Sequence, residues 1–275
     1  MDDRMGENVN GPSLINAPPW LENPLGKYYL YFGHHDGRYI RMAYADNLVG
    51  PWKTHGPGVL SLENSHFSGH IASPDVHVDR DGKQVRMYFH GADTATGKGG
   101  PQSTRVSLST DGLTFDARPE LLVNPYMRTF RWNQQYFGLA MPGVFYRSVD
   151  GASNFEQGPT LFNPNIRHTV VLVNDDLLRV YFTVIGDNPE RILLSTVRLS
   201  NDWLEWEASD PVVVLAPEVD WQGADLPLEP PKRGLVQGRV NQLRDPATFI
   251  DDDGRMYLLY AVVGESGIAI AELAE

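Results

Sequence analysis

Three short segments carry residues whose types suit acid–base chemistry. Gly69-His-Ile-Ala-Ser-Pro-Asp75 ends on a carboxylate, Leu243-Arg-Asp-Pro246 holds a second, and His168 opens the β-branched run Thr169-Val-Val-Leu-Val173. Aligned on four internal tyrosines, Tyr31, Tyr88, Tyr181 and Tyr260, Asp75 and His168 share one offset, thirteen residues upstream, and Asp245 falls two residues earlier still. Carboxylates and an imidazole brought to one point are the raw material of general acid–base catalysis. Two more acids, Asp225 and Glu229, lie in a Pro- and Gly-rich stretch, 218–237. Plainer readings stand beside these. Asp-Pro is an ordinary turn dipeptide, whereas Asp75, between Pro74 and the alternating Val76-His-Val78, opens a strand. Arg244 either neutralises Asp245, holding it ionised, or binds a ligand hydroxyl or carboxylate. Seven of the eight histidines are His34, His35, His66, His70, His77, His90 and His168. Lone histidines are commonly core or surface residues; alternatively His168, His70 and Asp75 ligate a metal, although no helical His-x-x-x-His spacing supports one.

The elements that must position these residues are strands. Long apolar patterns at i, i+3, i+4 and i+7 are missing, while short β-rich runs bounded by Gly, Asn, Asp and Pro recur. Lys27-Tyr-Tyr-Leu-Tyr-Phe32 has counterparts in Gln84-Val-Arg-Met-Tyr-Phe89, Leu178-Arg-Val-Tyr-Phe182 and Arg255-Met-Tyr-Leu-Leu-Tyr260, each after a turn segment such as Asp251-Asp-Asp-Gly254. A second strand of small and β-branched residues follows each, as in Ile192-Leu-Leu-Ser-Thr-Val197. Segments bearing Trp or Phe come next, such as Gly50-Pro-Trp52 and Trp203-Leu-Glu-Trp206, and are expected to form outer strands. A repeat of roughly 50 residues marks radially arranged sheets. The expected fold is all-β, one five-bladed β-propeller over 1–275 with four-stranded antiparallel blades near 13–60, 66–120, 124–162, 163–215 and 238–275. The stretch 218–237 is expected to be a long loop over one face. A β-sandwich of similar strands is the competing architecture.

Composition narrows the function. The 275 residues are 41% hydrophobic, enough for a substantial core. A formal net charge of −12 repels nucleic-acid phosphates and anionic membranes, and no apolar stretch approaches the roughly 20 residues that span a bilayer. Neither nucleic acid nor membrane is an expected partner. Met1–Gly11 lacks an apolar signal segment, so a cytoplasmic protein is expected unless a leader was removed. Without cysteine there are no disulfides and no thiolate chemistry. Six Trp, 12 Tyr and 11 Phe exceed what such a core requires, and sugar faces are one target for aromatic rings.

Gly69-His-Ile-Ala-Ser-Pro-Asp75 resembles the Ala-Pro-Asp motif of glycoside hydrolase family 43, and Leu243-Arg-Asp-Pro246 resembles the Arg-Asp-Pro motif of related furanosidases and fructosidases, including family 32. The resemblance spans all five repeats and implies carboxylates at a channel mouth: a base or nucleophile, a proton donor, and an acid that orients the donor. Asp75 would be one of these. Two departures accompany it. The first-blade stretch Leu14-Ile-Asn-Ala-Pro-Pro-Trp20 offers Asn16 where the family has Asp, and no Glu-Gly-Pro occurs in 126–141, Glu156-Gln-Gly-Pro159 lying too late. The resemblance thus implies either redistributed acids, with Asp75, Asp245 and Glu229 or Asp225 around a glycosidic bond, or a non-hydrolytic carbohydrate-binding propeller. Hydrolysis requires two carboxyl groups, about 5 Å apart for retention or about 6.5–9.5 Å for inversion. A propeller scaffold for other proteins would leave the inner-strand Asp and His residues unused. The leading expectation is hydrolysis at a terminal sugar of an oligosaccharide or glycoside, with catalytic Asp75, Asp245 and Glu229. Substrate contacts are expected from Asn16, His70, Arg128, His168, Asp225, Arg239 and Arg244, and from aromatic platforms Trp20, Trp132 and Trp221 on the same mouth. No cofactor is required; a bound cation would sit near the channel axis.

Overall fold

The alternation of large apolar residues in the tyrosine-rich runs is a period-2 signal, and a strand sends successive side chains to opposite faces. In Tyr28–Gly33, Tyr29 and Tyr31 pack toward the second repeat beside Met87 and Phe89, while Tyr28, Leu30 and Phe32 pack toward the last repeat beside Phe249 and Leu259. Both faces are therefore buried, which only a neighbouring sheet on each side can provide. The computed structural model describes residues 8–34, 37–92, 101–231, 234, 236 and 238–274. It forms five antiparallel sheets in a ring, with five apolar clusters filling the five gaps between consecutive blades.

The inner strands are Asn10–Asn16, His70–Asp79, Arg128–Trp132, Ile166–Asn174 and Arg244–Ile250. Each blade is a meander running outward, with four strands in blades one to four and three in the fifth among the described residues. The tyrosine-rich runs form the second strands. The aromatic segments expected as outer strands instead precede them. Trp52 leads into Lys53–Ser61, Phe115 into Asp116–Ala117, and Trp203–Glu205 is a short 3-10 turn before Val212–Leu215. Trp203 and Trp206 leave the strand because they fill the gap between blades three and four. The stretch 218–237 carries no strand among its described residues, only the 3-10 turn Asp220–Gln222; residues 232, 233, 235 and 237, like His35 and the first seven residues, lie outside the described set.

Near its start, the inner strand of blades one, two, four and five skips a residue against its partner, a β-bulge. The bulge residue is left-handed: Gly11 (φ 54°), Ser73 (51°), His168 (50°) and Asp245 (49°); Tyr126 (61°), just before the third inner strand, completes the ring. His168 therefore stands level with Asp245, and Asp75 lies two residues further along, roughly 7 Å deeper at the rise of a strand. The tyrosine alignment placed Asp75 with His168 because hairpin lengths differ. Asp75 pairs with Tyr88 across a four-residue turn, 80–83, whereas Tyr181 pairs with Val170 across the two-residue turn 175–176.

Candidate active site at the channel mouth

In a ring of outward meanders all inner strands run the same way, so their starts form one mouth of the channel and their ends the other. At the first mouth the left-handed residues converge. The Tyr126 hydroxyl donates to Asp245 Oδ1 at 2.7 Å, and His168 Nε2 lies 3.6 Å from the same oxygen. On its other side His168 Nδ1 is 3.2 Å from Thr183 Oγ1 and 3.7 Å from Glu190 Oε1. The Tyr126 ring lies between those of His168 and His90, and His90 meets His70 edge-on. Burial, reinforced by the Asp245 charge, raises the Tyr126 phenol far above its ordinary range, so it remains a donor to that carboxylate. Asp245, Tyr126 and His168 are all buried.

Beneath this layer is an ion network not singled out from sequence. Glu190 is fully enclosed; Arg167 clasps it with two donors at 2.6 and 2.9 Å, and Arg244 Nε reaches it at 3.1 Å. Arg244 Nη1 also donates to Glu265, which accepts from Asn8 as well. Burial pulls the Arg244 guanidinium toward lower pKa, but Glu190, Glu265 and Asp245 outweigh it and hold the group above its ordinary value. Arg167 and Arg244 each precede a left-handed residue, a repeated pattern visible in the sequence. Glu190 and Glu265 sit in connections between second and third strands, where no repeat marks them.

Arg128 divides the channel. Its guanidinium stacks on Tyr126 at 4.6 Å and donates to the carbonyls of Pro74 and Thr169, bridging blades two and four. On the far side it faces Asp75 Oδ1 at 3.9 Å. The other Asp75 oxygen accepts from the Thr129 N–H (2.8 Å) and hydroxyl (3.1 Å) and meets His77 Nε2 at 2.8 Å. Burial raises the Asp75 pKa, but His77, Arg128 and the Thr129 N–H together bring it below the ordinary value. Asp75 is thus an ionised group in a cavity of about 250 Å³ that also contains Asn16 and Phe249 and opens toward the strand ends.

The expected site residues accordingly divide. Asp245, His168 and His70 gather at the first mouth, whereas Asp75 and Asn16 belong to the other side of Arg128. The expected metal group is not assembled: Asp75 lies with His77, and His70 with His90 and Gln102. Among the described residues no three His, Asp or Glu are grouped to hold a metal. Arg244, expected at a sugar hydroxyl, is fully enclosed by carboxylates instead. The aromatic platforms do not share a mouth. Trp20, past the end of the first inner strand, donates its indole N–H to Thr110 O and packs on the core between blades one and two. Trp132 ends the third inner strand and packs on Phe137 and Trp206. Trp221, Asp225, Glu229 and Arg239 are exposed; Gln242 Nε2 donates to Glu229 O and Arg244 Nη2 to Gly234 O, tying this segment beside the first mouth.

The ring position of the first blade carries no side chain for a steric reason. A Cβ on Gly11 would come 2.7 Å from Ser73 Cα, so no side chain fits at the bulge position level with Asp245. The position expected to replace the family acid, Asn16, is five residues further along.

No protein-family model matches the chain. It is 38% identical over 300 residues to Uncharacterized protein R118 of Acanthamoeba polyphaga mimivirus, covering 97% of this chain and 83% of that protein. Solved structures with the same fold include a thermostable family-43 glycoside hydrolase (TM-score 0.67, 12% identity, 98% of this chain and 90% of that one). They also include the GH43_1 enzyme from Xanthomonas citri complexed with xylotriose (0.66, 13%, 97% and 88%). A third is the Cellvibrio cellulosa α-L-arabinanase complexed with arabinohexaose (0.63, 12%, 97% and 92%). Among the described residues no helix is long and apolar enough to cross a membrane.

Proposed function

The chain belongs to the family of the mimivirus protein R118 and has the five-bladed propeller fold of family-43 glycoside hydrolases, and from this premise we propose that it cleaves a terminal glycosidic bond of an oligosaccharide. The observation that supports this reading is the convergence of Asp245, Tyr126 and His168 at the mouth where the inner strands begin. Asp245 acts as the base or nucleophile: the neighbouring Arg244 and the Tyr126 hydroxyl favour its ionised form. Glu229, exposed on the segment that Gln242 ties to this mouth, supplies the proton. His168, held between Glu190 and Asp245, positions the carboxylate. Asp75, separated by Arg128, has no contact with the reacting bond. An oligosaccharide substrate is supported by the xylotriose and arabinohexaose carried by the neighbours of this fold. No cofactor enters this chemistry.

A specific observation favours a second reading, carbohydrate binding without hydrolysis. Gly11 and Tyr126 occupy the ring positions of blades one and three, so neither blade sets a carboxylate beside Asp245 in the ring. Turnover of aryl furanosides, aryl pyranosides and natural oligosaccharides, followed by chromatography, separates the two. Hydrolysis that falls by about 10²–10⁴-fold in Asp245→Asn and in Glu229→Gln supports the first; saturable sugar binding with no turnover in the wild-type protein selects the second.

A further inference from the structure

The cavity on the far side of Arg128 is not used by the proposed reaction, yet it is built as a ligand site. Asp75 Oδ2 is saturated by Thr129 and His77, but Oδ1 accepts no hydrogen bond and faces only the Arg128 guanidinium at 3.9 Å. Arg128 is 1% exposed, and its Nη2 has no hydrogen-bond partner. Asn16 Oδ1, at the end of the first inner strand, also has none. A buried polar atom left unpaired is destabilising, most of all on a charged group, so the two buried atoms Arg128 Nη2 and Asn16 Oδ1, beside the open Asp75 Oδ1, call for an occupant. All three residues line the same cavity, whose remaining wall includes Phe249, and His77 beside it keeps 44% of its side chain exposed, giving a route to solvent.

We propose that this end of the channel is a second binding site, for one neutral polyhydroxylated ring of monosaccharide size. The charges of Asp75 and Arg128 cancel, and Arg80, which also lines the cavity, faces Asp252 at 3.5 Å, which disfavours an anion or a cation. Hydroxyl groups both donate and accept, so one ligand can donate to Asp75 Oδ1 and Asn16 Oδ1 and accept from Arg128 Nη2, while its C–H face lies on Phe249. Small-molecule sites start at about 300 Å³, and a cavity of about 250 Å³ therefore takes a single ring rather than a chain. Because Arg128 closes the channel between them, this site and the mouth at Asp245 bind independently.

The test uses the full chain labelled with ¹⁵N and titrated with D-xylose, L-arabinose, D-galactose and myo-inositol, with D-glucuronate as the charged control. Saturable shifts of the His77, Thr129 and Thr248 amides are expected with at least one neutral compound. Asn16→Leu, which fills the cavity and removes an acceptor, is expected to weaken that binding by about tenfold or more. The smaller Asn16→Ala serves if Asn16→Leu does not fold. Asp245→Asn is expected to leave these shifts unchanged whether or not it abolishes hydrolysis, so this site and the catalytic reading fail separately. Shifts confined to the amides of Tyr126, His168 and Arg244, no saturable shift with any neutral compound, or tighter binding of glucuronate would each overturn the proposal.

Discussion

Glu190 takes two Arg167 donors and one from Arg244 with no exposed surface, and Arg244 also meets Glu265, so these buried charges are compensated within one network rather than by water. Removing one partner of such a buried set typically costs about 3–5 kcal/mol because it strands the other charge. Arg244→Ala and Glu190→Gln are expected to lose that much in urea unfolding, whereas substitution of the exposed pair Arg198–Asp176 should change stability by less than about 1 kcal/mol. Asp75 gives the pH counterpart. Its pKa is lower in the folded protein than the ordinary 3.8, so the stability it confers is complete above that value and is lost as the pH falls through the folded pKa. Asp75→Asn is expected to lower the melting temperature at neutral pH, with the gap to wild type closing below about pH 4. At this scale Asp245 and His168 were legible because strand starts in a repeat must meet at the axis. Glu190 and Glu265 were not, because the connections that carry them have no common length or spacing and only the finished ring brings them beside arginines.

The element that decides which residues meet at the axis is the bulge at the start of the inner strand in blades one, two, four and five. It turns one residue in each of these blades into a left-handed conformation and aims it at the axis, Tyr126 doing the same just before the third inner strand, and alternation along the strand does the rest. The tyrosine-rich second strands, their order and the number of repeats were readable from periodicity and turns. The depth of each inner residue was not, because depth depends on hairpin length. A two-residue difference between the turns after Asp79 and Asn174 was enough to misplace His168 against Asp75. The outer strands were misread for another reason: Trp203 and Trp206 have strand propensity but gain more by filling the gap between blades. Bulge packing gives a sharp expectation. Gly11→Ala must push its Cβ into Ser73 Cα while holding φ at 54°, and should destabilise the protein by about 1–3 kcal/mol in denaturant unfolding. Ser73→Gly, which keeps the left-handed conformation without strain, is the control and should stay within about 1 kcal/mol of wild type.

Across the whole molecule, the described residues close the ring between the first and last blades by contacts rather than by exchange of a strand. The Val9 N–H donates to Glu265 O at 2.8 Å, the Tyr28 hydroxyl donates to Asp251 at 2.6 Å, and an apolar cluster with Leu14, Phe32 and Phe249 fills the gap. Tyr28→Phe leaves Asp251 with only Lys27 and the Asp252 N–H among its present partners and should cost about 1.5–3 kcal/mol, lowering the melting temperature by several degrees. The five-fold architecture was legible because repetition is a whole-chain signal that survives errors in any single element.

Glu265 has two tasks that belong to different ends of the chain. One carboxylate oxygen accepts from Asn8, near the first strand, and the other neutralises Arg244, the residue before Asp245. Closure of the ring and completion of the charge balance under the mouth are therefore a single event, made by contacts more than 250 residues apart in sequence. Such long-range contacts form late, after the entropy of a long loop has been overcome. The mouth at Asp245 is therefore assembled last, and any property that depends on it doubles as a report that the chain has finished folding.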